Sequence, residues 1–156
     1  MKGIIKLYTD GAASGNPGPG GIGVVLIYQD LRKEISEGYE FTTNNRMELL
    51  AVIRGLEAIR WKNANIIVYT DSKYVSDSIN KNWVFDWERK QFKKRKNADL
   101  WTSFLKLYRQ HNVRFQWIKG HNNDPENERC DVLAVQAYQK MPLLKDQGYS
   151  DEKGLL

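Results

Sequence analysis

Two aspartates end β-branched runs that read as buried strands. Ile4-Ile5 leads through Leu7-Tyr8-Thr9 to Asp10, and Ile66-Ile67-Val68 leads through Tyr69-Thr70 to Asp71. Either aspartate alone reads as a cap for the next segment. Two in one sheet ask for a cationic partner, because a carboxylate at the end of a buried run loses hydration. Glu48 adds a third acid. On a helical wheel of about 100° per residue it falls within about 80° of Val52, Leu56 and Ile59, with Arg46, Arg54 and Glu57 on the far side. Asp131 likewise shares a face with Val135 and Tyr138. Four inward carboxylates without matching cations repel one another and resist ionisation. An oxygen-preferring divalent ion resolves that conflict, with Mg²⁺ the natural choice. Two such ions held about 3.5–4 Å apart by shared carboxylates are suited to in-line attack on a phosphodiester. His121, in Lys119-Gly120-His121, could move protons beside a scissile phosphate near neutral pH; taken alone it reads as a surface histidine.

The elements that must position these groups follow from pattern. The Thr-Asp runs are expected as adjacent parallel strands joined by a crossover. Gly15-Asn16-Pro17-Gly18-Pro19-Gly20-Gly21 is turn chemistry, followed by an apolar strand over 22–28 and, after a turn at Gln29-Asp30, an alternating strand over 34–42. Helices are expected over 44–61, from Ser72, and over 99–111, with a strand over 114–118. A last helix opens at Asp124-Pro125, where Asp124 can cap and Pro125 can take the first helical position. The order predicts an α/β fold with a five-stranded mixed sheet, antiparallel on one side and flanked by helices. Residues 1–142 are expected as one catalytic domain. Residues 143–156 show no sustained periodicity and are expected as a loosely ordered C-terminal tail.

Length and composition agree: 156 residues fit one domain, and 41% hydrophobic with 28% charged residues is ordinary for a soluble globular protein. No stretch approaches the length of a membrane helix, and no secretory signal is visible. One cysteine, Cys130, forms no internal disulfide and favours a reducing, cytoplasmic compartment. With two histidines besides, a zinc site is disfavoured. The net charge of +5 sits entirely in residues 81–96, where Lys81, Arg89, Lys90, Lys93, Lys94, Arg95 and Lys96 face only Asp86 and Glu88; the remainder is neutral. Such a patch points to a polyanion, nucleic acid first.

At these residues the sequence resembles the bacterial type 1 ribonuclease H family. The resemblance is carried, in order and approximate spacing, by Thr9-Asp10-Gly11-Ala12, the glycine-rich turn 15–21, Thr43-Asn44-Asn45-Arg46-Met47-Glu48, Tyr69-Thr70-Asp71-Ser72, Lys119-Gly120-His121 and Pro125-Glu126-Asn127-Glu128-Arg129-Cys130-Asp131. It implies a ribonuclease H-like fold with a basic helical protrusion, and an endoribonuclease that hydrolyses the RNA strand of RNA–DNA hybrids with two Mg²⁺ ions, Mn²⁺ being an alternative. Asp10 would bridge both metals, Asp131 would join the metal on the nucleophile side, and Glu48 and Asp71 would hold the one on the leaving-group side. His121 would assist proton handling or product release. Asn16, Asn44 and Asn45 would touch the minor groove of the hybrid. Thr43 and Asn97 would grip a DNA phosphate, and the protrusion, with Trp83, Trp87, Lys90, Lys93 and Lys94, would hold the DNA strand. No membrane and no obligate protein partner are implied, and a monomer is expected.

Several positions depart from the family pattern. Phe41 stands where some relatives carry an arginine in the phosphate grip, Ala13 replaces a frequent cysteine, Lys73 replaces a frequent glutamine, and Asn122-Asn123-Asp124 replaces a loop of smaller residues. None touches the four carboxylates. Two other readings stay open: a different nuclease or strand-transfer enzyme of the same fold, integrase-like or junction-resolving, and a hybrid-binding module without catalysis. The four carboxylates argue against the second, since a pure binder gains nothing by gathering anions beside a polyanion.

Overall fold

Alternation of buried and exposed side chains along β1 (Ile4–Ala13) and β4 (Asn65–Thr70) sets the centre of the structure, a computed structural model describing residues 3–140 and 142–153. The two strands run parallel, and their ladder ends at the Tyr8–Tyr69 pair, whose rings stack 4.6 Å apart. Asp10 and Asp71 therefore sit at matching positions just past the last rung. β1 also pairs antiparallel with β2 (Gly18–Tyr28), which returns through a short turn as β3 (Leu31–Thr42). β5 (Asn112–Trp117) lies parallel to β4 on its other edge.

The sheet has six strands, in the order β5-β4-β1-β2-β3-β6, rather than the five expected. The sixth is the two-residue β6 (Leu143–Leu144), which pairs with Gly38 and Tyr39 of β3. A strand of two residues is too short to show a period, which is why sequence pattern does not reveal it. The stretch expected as a loose tail continues into α6 (Gln147–Lys153). Asp146, between the two elements, is buried and accepts hydrogen bonds from Thr42 and Arg46. Residues 154–156 of that stretch lie outside the described residues.

Helices cover both faces. On one side α1 (Asn44–Glu57), α2 (Lys73–Asn80) and α4 (Ala98–Tyr108) enclose the larger core, built from Ile5, Leu7, Val24, Val52, Leu56, Trp101 and Phe104 among others. On the other, α5 (Pro125–Lys140) buries Cys130 and Leu133 against Val25. α5 can approach this closely because β2 presents glycines: a Cβ on Gly23 would fall 2.0 Å from the Cys130 carbonyl oxygen, and one on Gly21 2.2 Å from that of Ala134. α1 is about a turn shorter than expected, ending at Glu57 with Ala58 as its C-cap. Thr43 Oγ1 accepts the Arg46 N–H at its start, and Ser72 Oγ likewise accepts the Val75 N–H at the start of α2. Asp124 caps α5 as expected, accepting the N–H groups of Glu126 and Asn127 at 3.0 Å each.

Of the basic protrusion, α3 (Trp83–Arg89) is helical and the stretch after it is a series of turns. Among the described residues no helix is long and apolar enough to cross a membrane.

Candidate active site

Asp10 does not end β1 as the sequence suggested, since the strand continues to Ala13 alongside β2, and Gly11 next to it lets α1 pack directly onto the strand. A Cβ on Gly11 would fall 2.3 Å from the Glu48 amide nitrogen, so no larger residue fits between them. Glu48 thus comes down beside Asp10 from the first turns of α1, on the face that also carries the buried Val52 and Leu56, with Ile59 buried just past the helix end. Asp71 arrives from the end of β4. Among the described residues, one group of acids, Asp10, Glu48 and Asp71, offers oxygens that all lie within 4.8 Å of one another. Asp131, on α5, stands outside this group, yet near enough that its charge raises the pKa of both Asp10 and Asp71.

The electrostatics are those of anions crowded together out of water. Burial pushes Asp10 up to about 8, helped by the charges of Asp71 and Asp131 and opposed by the Gly11 N–H that Asp10 accepts. Burial likewise raises Glu48 to about 7, opposed by a hydrogen bond with Ser72 and helped by the charge of Asp71. Asp71 is raised as well, again by burial first, with hydrogen bonds from Asn127 and Asp10 pulling the other way. Carboxylates crowded in this way resist ionising together, a conflict that a bound cation resolves. The donor set, three carboxylate oxygens from separate rigid elements with a fourth acid adjoining, fits a hard divalent cation. Among the described residues the buried Asn127 Oδ1 has no hydrogen-bond partner.

Sequence pattern does not single out Asn127 or Ser72. Both lie inside the motifs that carry the resemblance, and Ser72 reads only as the start of a helix, but contact with an acid on a different element is not written in local spacing. His121 is exposed on the loop before α5, with a positive φ of 54° that follows Gly120. Its charge favours ionisation of Asp71, a minor influence among several on that carboxylate.

The substrate-binding candidates fall into two neighbouring groups. Asn16 Oδ1 accepts the Asn44 N–H at 3.0 Å, and Asn44 Oδ1 accepts the Ala13 N–H at 2.6 Å, tying the glycine-rich turn to the start of α1. Asn16, Thr43, Asn45 and Asn97 share one cleft with Lys96. Asn97 is placed differently from a residue that offers its side chain to a phosphate. It is buried, its Oδ1 accepts from Arg46 and its Nδ2 donates to the Tyr74 hydroxyl. On the protrusion, Trp83, Trp87, Lys90 and Arg95 line a second depression, with the Arg95 guanidinium 4.9 Å over the Trp87 ring. Trp87 also packs edge-on against the buried Trp101, which anchors the protrusion to the core. Lys93 and Lys94 are exposed, whereas Arg89 is paired with Asp86.

Arg46 departs from the sequence reading. The helical wheel places it on the polar side of α1, yet it is 1% exposed, because α4 and the segment after α5 close over that side. Asp146 and Asp99 both pair with it.

Comparison with known proteins agrees with this arrangement. A family model described as RNase H matches residues 2–139. The chain is 49% identical over 150 residues to a ribonuclease H of Trichodesmium erythraeum, covering 93% of this chain and 95% of that one. Among solved structures it is similar to LC9-RNase H1, described as a type 1 RNase H with the type 2 active-site motif, with a TM-score of 0.81 at 30% identity over 96% of this chain and 80% of that one. It is also similar to LC11-RNase H1 solved in complex with RNA/DNA hybrid, with a TM-score of 0.66 at 29% identity over 87% of this chain and 97% of that one. With the match running from the first strand nearly to the end of α5, and the clustered acids lying inside it, this chain belongs to the ribonuclease H family.

Proposed function

We propose that the chain is an endoribonuclease that hydrolyses the RNA strand of RNA–DNA hybrids with two Mg²⁺ ions, Mn²⁺ being able to substitute. The observation that carries this reading is the meeting of Asp10, Glu48 and Asp71, from three elements, within 4.8 Å, in a setting that resists their ionisation. Asp10, Glu48, Asp71 and Asp131 would hold the metals, with Asp10 shared between them. When bound, the ions supply an activated water and stabilise charge on the phosphate.

The chain's own residues hold and align. Burial fixes Asp10 and Glu48 in place, Asn127 orients Asp71, and Ser72 orients Glu48. His121, exposed on the loop before α5, carries protons to or from solvent at the edge of the site. Asn44 and Asn45 open α1 and Asn16 is tied to them from the glycine-rich turn, where amides can meet the 2′-hydroxyls and base edges of a hybrid minor groove. Thr43 and the Asn97 backbone face a neighbouring phosphate. Trp83, Trp87, Lys90, Lys93 and Lys94 receive the DNA strand, since cations and stacked rings together suit a nucleic-acid backbone. The protein is assigned to the cytoplasm, consistent with a buried and unpaired Cys130, and to a monomer with no membrane and no obligate protein partner.

The test is cleavage of a labelled RNA–DNA hybrid, double-stranded DNA and single-stranded RNA, with Mg²⁺ and with a chelator. Cleavage confined to the RNA of the hybrid and dependent on Mg²⁺ supports the reading. Cleavage of duplex DNA would favour another nuclease of the fold, and hybrid binding without cleavage would favour a binding module.

A further inference from the structure

The cleft that holds Thr43, Asn45 and Asn97, about 310 Å³ in volume, has the C-terminal helix α6 as one wall. Tyr149, Glu152 and Lys153 line it together with Lys96. α6 is firmly seated: Tyr149 is buried, its ring lies 5.6 Å from that of Phe41, and its N–H donates to Asp146. Inside the cleft a carboxylate is already in place, for Glu152 accepts the Asn97 backbone N–H at 3.0 Å.

What holds Glu152 there is weaker than its surroundings suggest. It lies 3.7 Å from the Arg46 guanidinium. Yet Arg46 has five N–H donors, and its bonds elsewhere use them: to Asp146 from Nε at 2.8 Å and Nη2 at 3.0 Å, to Asp99 from Nη1 at 2.9 Å and Nη2 at 2.8 Å, and to Asn97 Oδ1 from Nη1 at 3.3 Å. Glu152 is the third carboxylate around one guanidinium, and no N–H of that group is left for it. Asp146 beside it is 7% exposed, whereas Glu152 is 27% exposed. An anion with one neutral hydrogen-bond donor and a long ion pair to an already saturated guanidinium, at the edge of water, is readily exchanged.

The place it occupies has the chemistry of a phosphate seat. The Asn97 N–H points into it, Lys96 and Lys153 flank it, and Thr43 Oγ1 accepts the Arg46 N–H while keeping its own proton to donate. Phe41, packed on Tyr149, brings no charge, so the cations lining this cleft are Lys96 and Lys153. We propose that Glu152 is a resident anion in the pocket that takes a backbone phosphate of the DNA strand, displaced by that phosphate on binding, and that Lys153 belongs to the pocket's own cation set. The inference rests on the hybrid being the substrate. It makes α6 part of the nucleic-acid interface and not only a strap over Arg46.

Opposite signs at adjacent residues test it. Steady-state cleavage of a labelled hybrid in Mg²⁺ is compared for the wild type, Glu152→Gln and Lys153→Ala, alongside anisotropy binding of a hybrid whose RNA strand is 2′-O-methylated and so resists cleavage. Glu152→Gln, which keeps an oxygen for the Asn97 N–H but drops the charge, is expected to lower KM and tighten binding by about two- to five-fold, the size of one exposed charge. Lys153→Ala is expected to raise KM and weaken binding by a similar factor, with the changes in KM rather than kcat. If α6 were only a strap, Glu152→Gln would leave KM and binding unchanged or make both worse, and either result overturns the proposal. Failure of the wild type itself to cleave hybrid would overturn the assignment of substrate, while the binding comparison would still decide the role of Glu152.

Discussion

The backbone of Gly11 passes so close beneath α1 that a Cβ there would meet the Glu48 amide nitrogen at 2.3 Å and the Met47 carbonyl carbon at the same distance. One missing methyl thus sets the gap between the strand that carries Asp10 and the helix that carries Glu48. Gly11→Ala must push α1 outward, and overpacking of this kind costs about 1–3 kcal/mol. Urea unfolding is expected to show that loss, and cleavage assays a fall in kcat, because Glu48 moves with its helix. Wild-type turnover in the alanine variant would mean that Glu48 is not held to its position by this contact.

Metal-free stability is expected to depend on pH with a definite sign. Carboxylates in an unfolded chain ionise near pH 4, whereas in the fold Glu48 is raised to about 7 and Asp10 to about 8. The folded form therefore binds the extra protons, and the stability linked to them is complete below about pH 4 and lost as pH rises through the folded values. Thermal unfolding in a chelator should show Tm falling between about pH 5 and about pH 9, with Mg²⁺ largely removing the decline. Asp10→Asn should abolish cleavage while raising metal-free Tm at about pH 8, since it removes one anion from a repelling group. Near-normal turnover in Asp10→Asn would overturn the mechanism.

His121→Ala should be far milder than loss of a carboxylate. A proton-handling role at the edge of the site corresponds to a loss of about 10²-fold or less in kcat. Complete inactivation of a folded variant would give His121 a role in holding the site that its exposed loop position does not suggest.

Arg46→Met should destabilise strongly. Asp146 is buried against that guanidinium, and removal of one partner from a buried pair costs about 3–5 kcal/mol. Equilibrium unfolding would read this directly. A loss below about 1 kcal/mol would mean that the segment after α5 contributes little to the fold.

Replacement of Lys93, Lys94, Arg95 and Lys96 by alanine should raise KM for hybrid and leave kcat nearly unchanged. The slope of log affinity against log salt should flatten by up to about 0.9 for every phosphate that these cations no longer neutralise. Unaltered KM and salt slope would show that the protrusion faces away from substrate.

The sequence by itself determined the acidic centre to a large degree. Tyr-Thr-Asp at the ends of two β-branched runs predicts adjacent strands with matched aspartates, and the Tyr8–Tyr69 rung confirms the register. Glu48 on the apolar face of its helix, and Asp124 as the cap of α5, were legible for the same reason: helix period and capping are local properties of a few neighbouring residues. Only the tertiary structure decided the fate of Arg46. A helical wheel ranks the faces of one helix, but it cannot say whether a second layer will cover the polar one. Asp146, one hundred residues along the chain from Arg46, supplies that layer from a segment with no periodicity to read. The same limit hid the bond from Asn127 to Asp71, the seat of Glu152 on the Asn97 N–H, and the sixth strand. Each is a meeting of distant segments, settled by how helices and sheet pack, and spacing along the chain carries no trace of it.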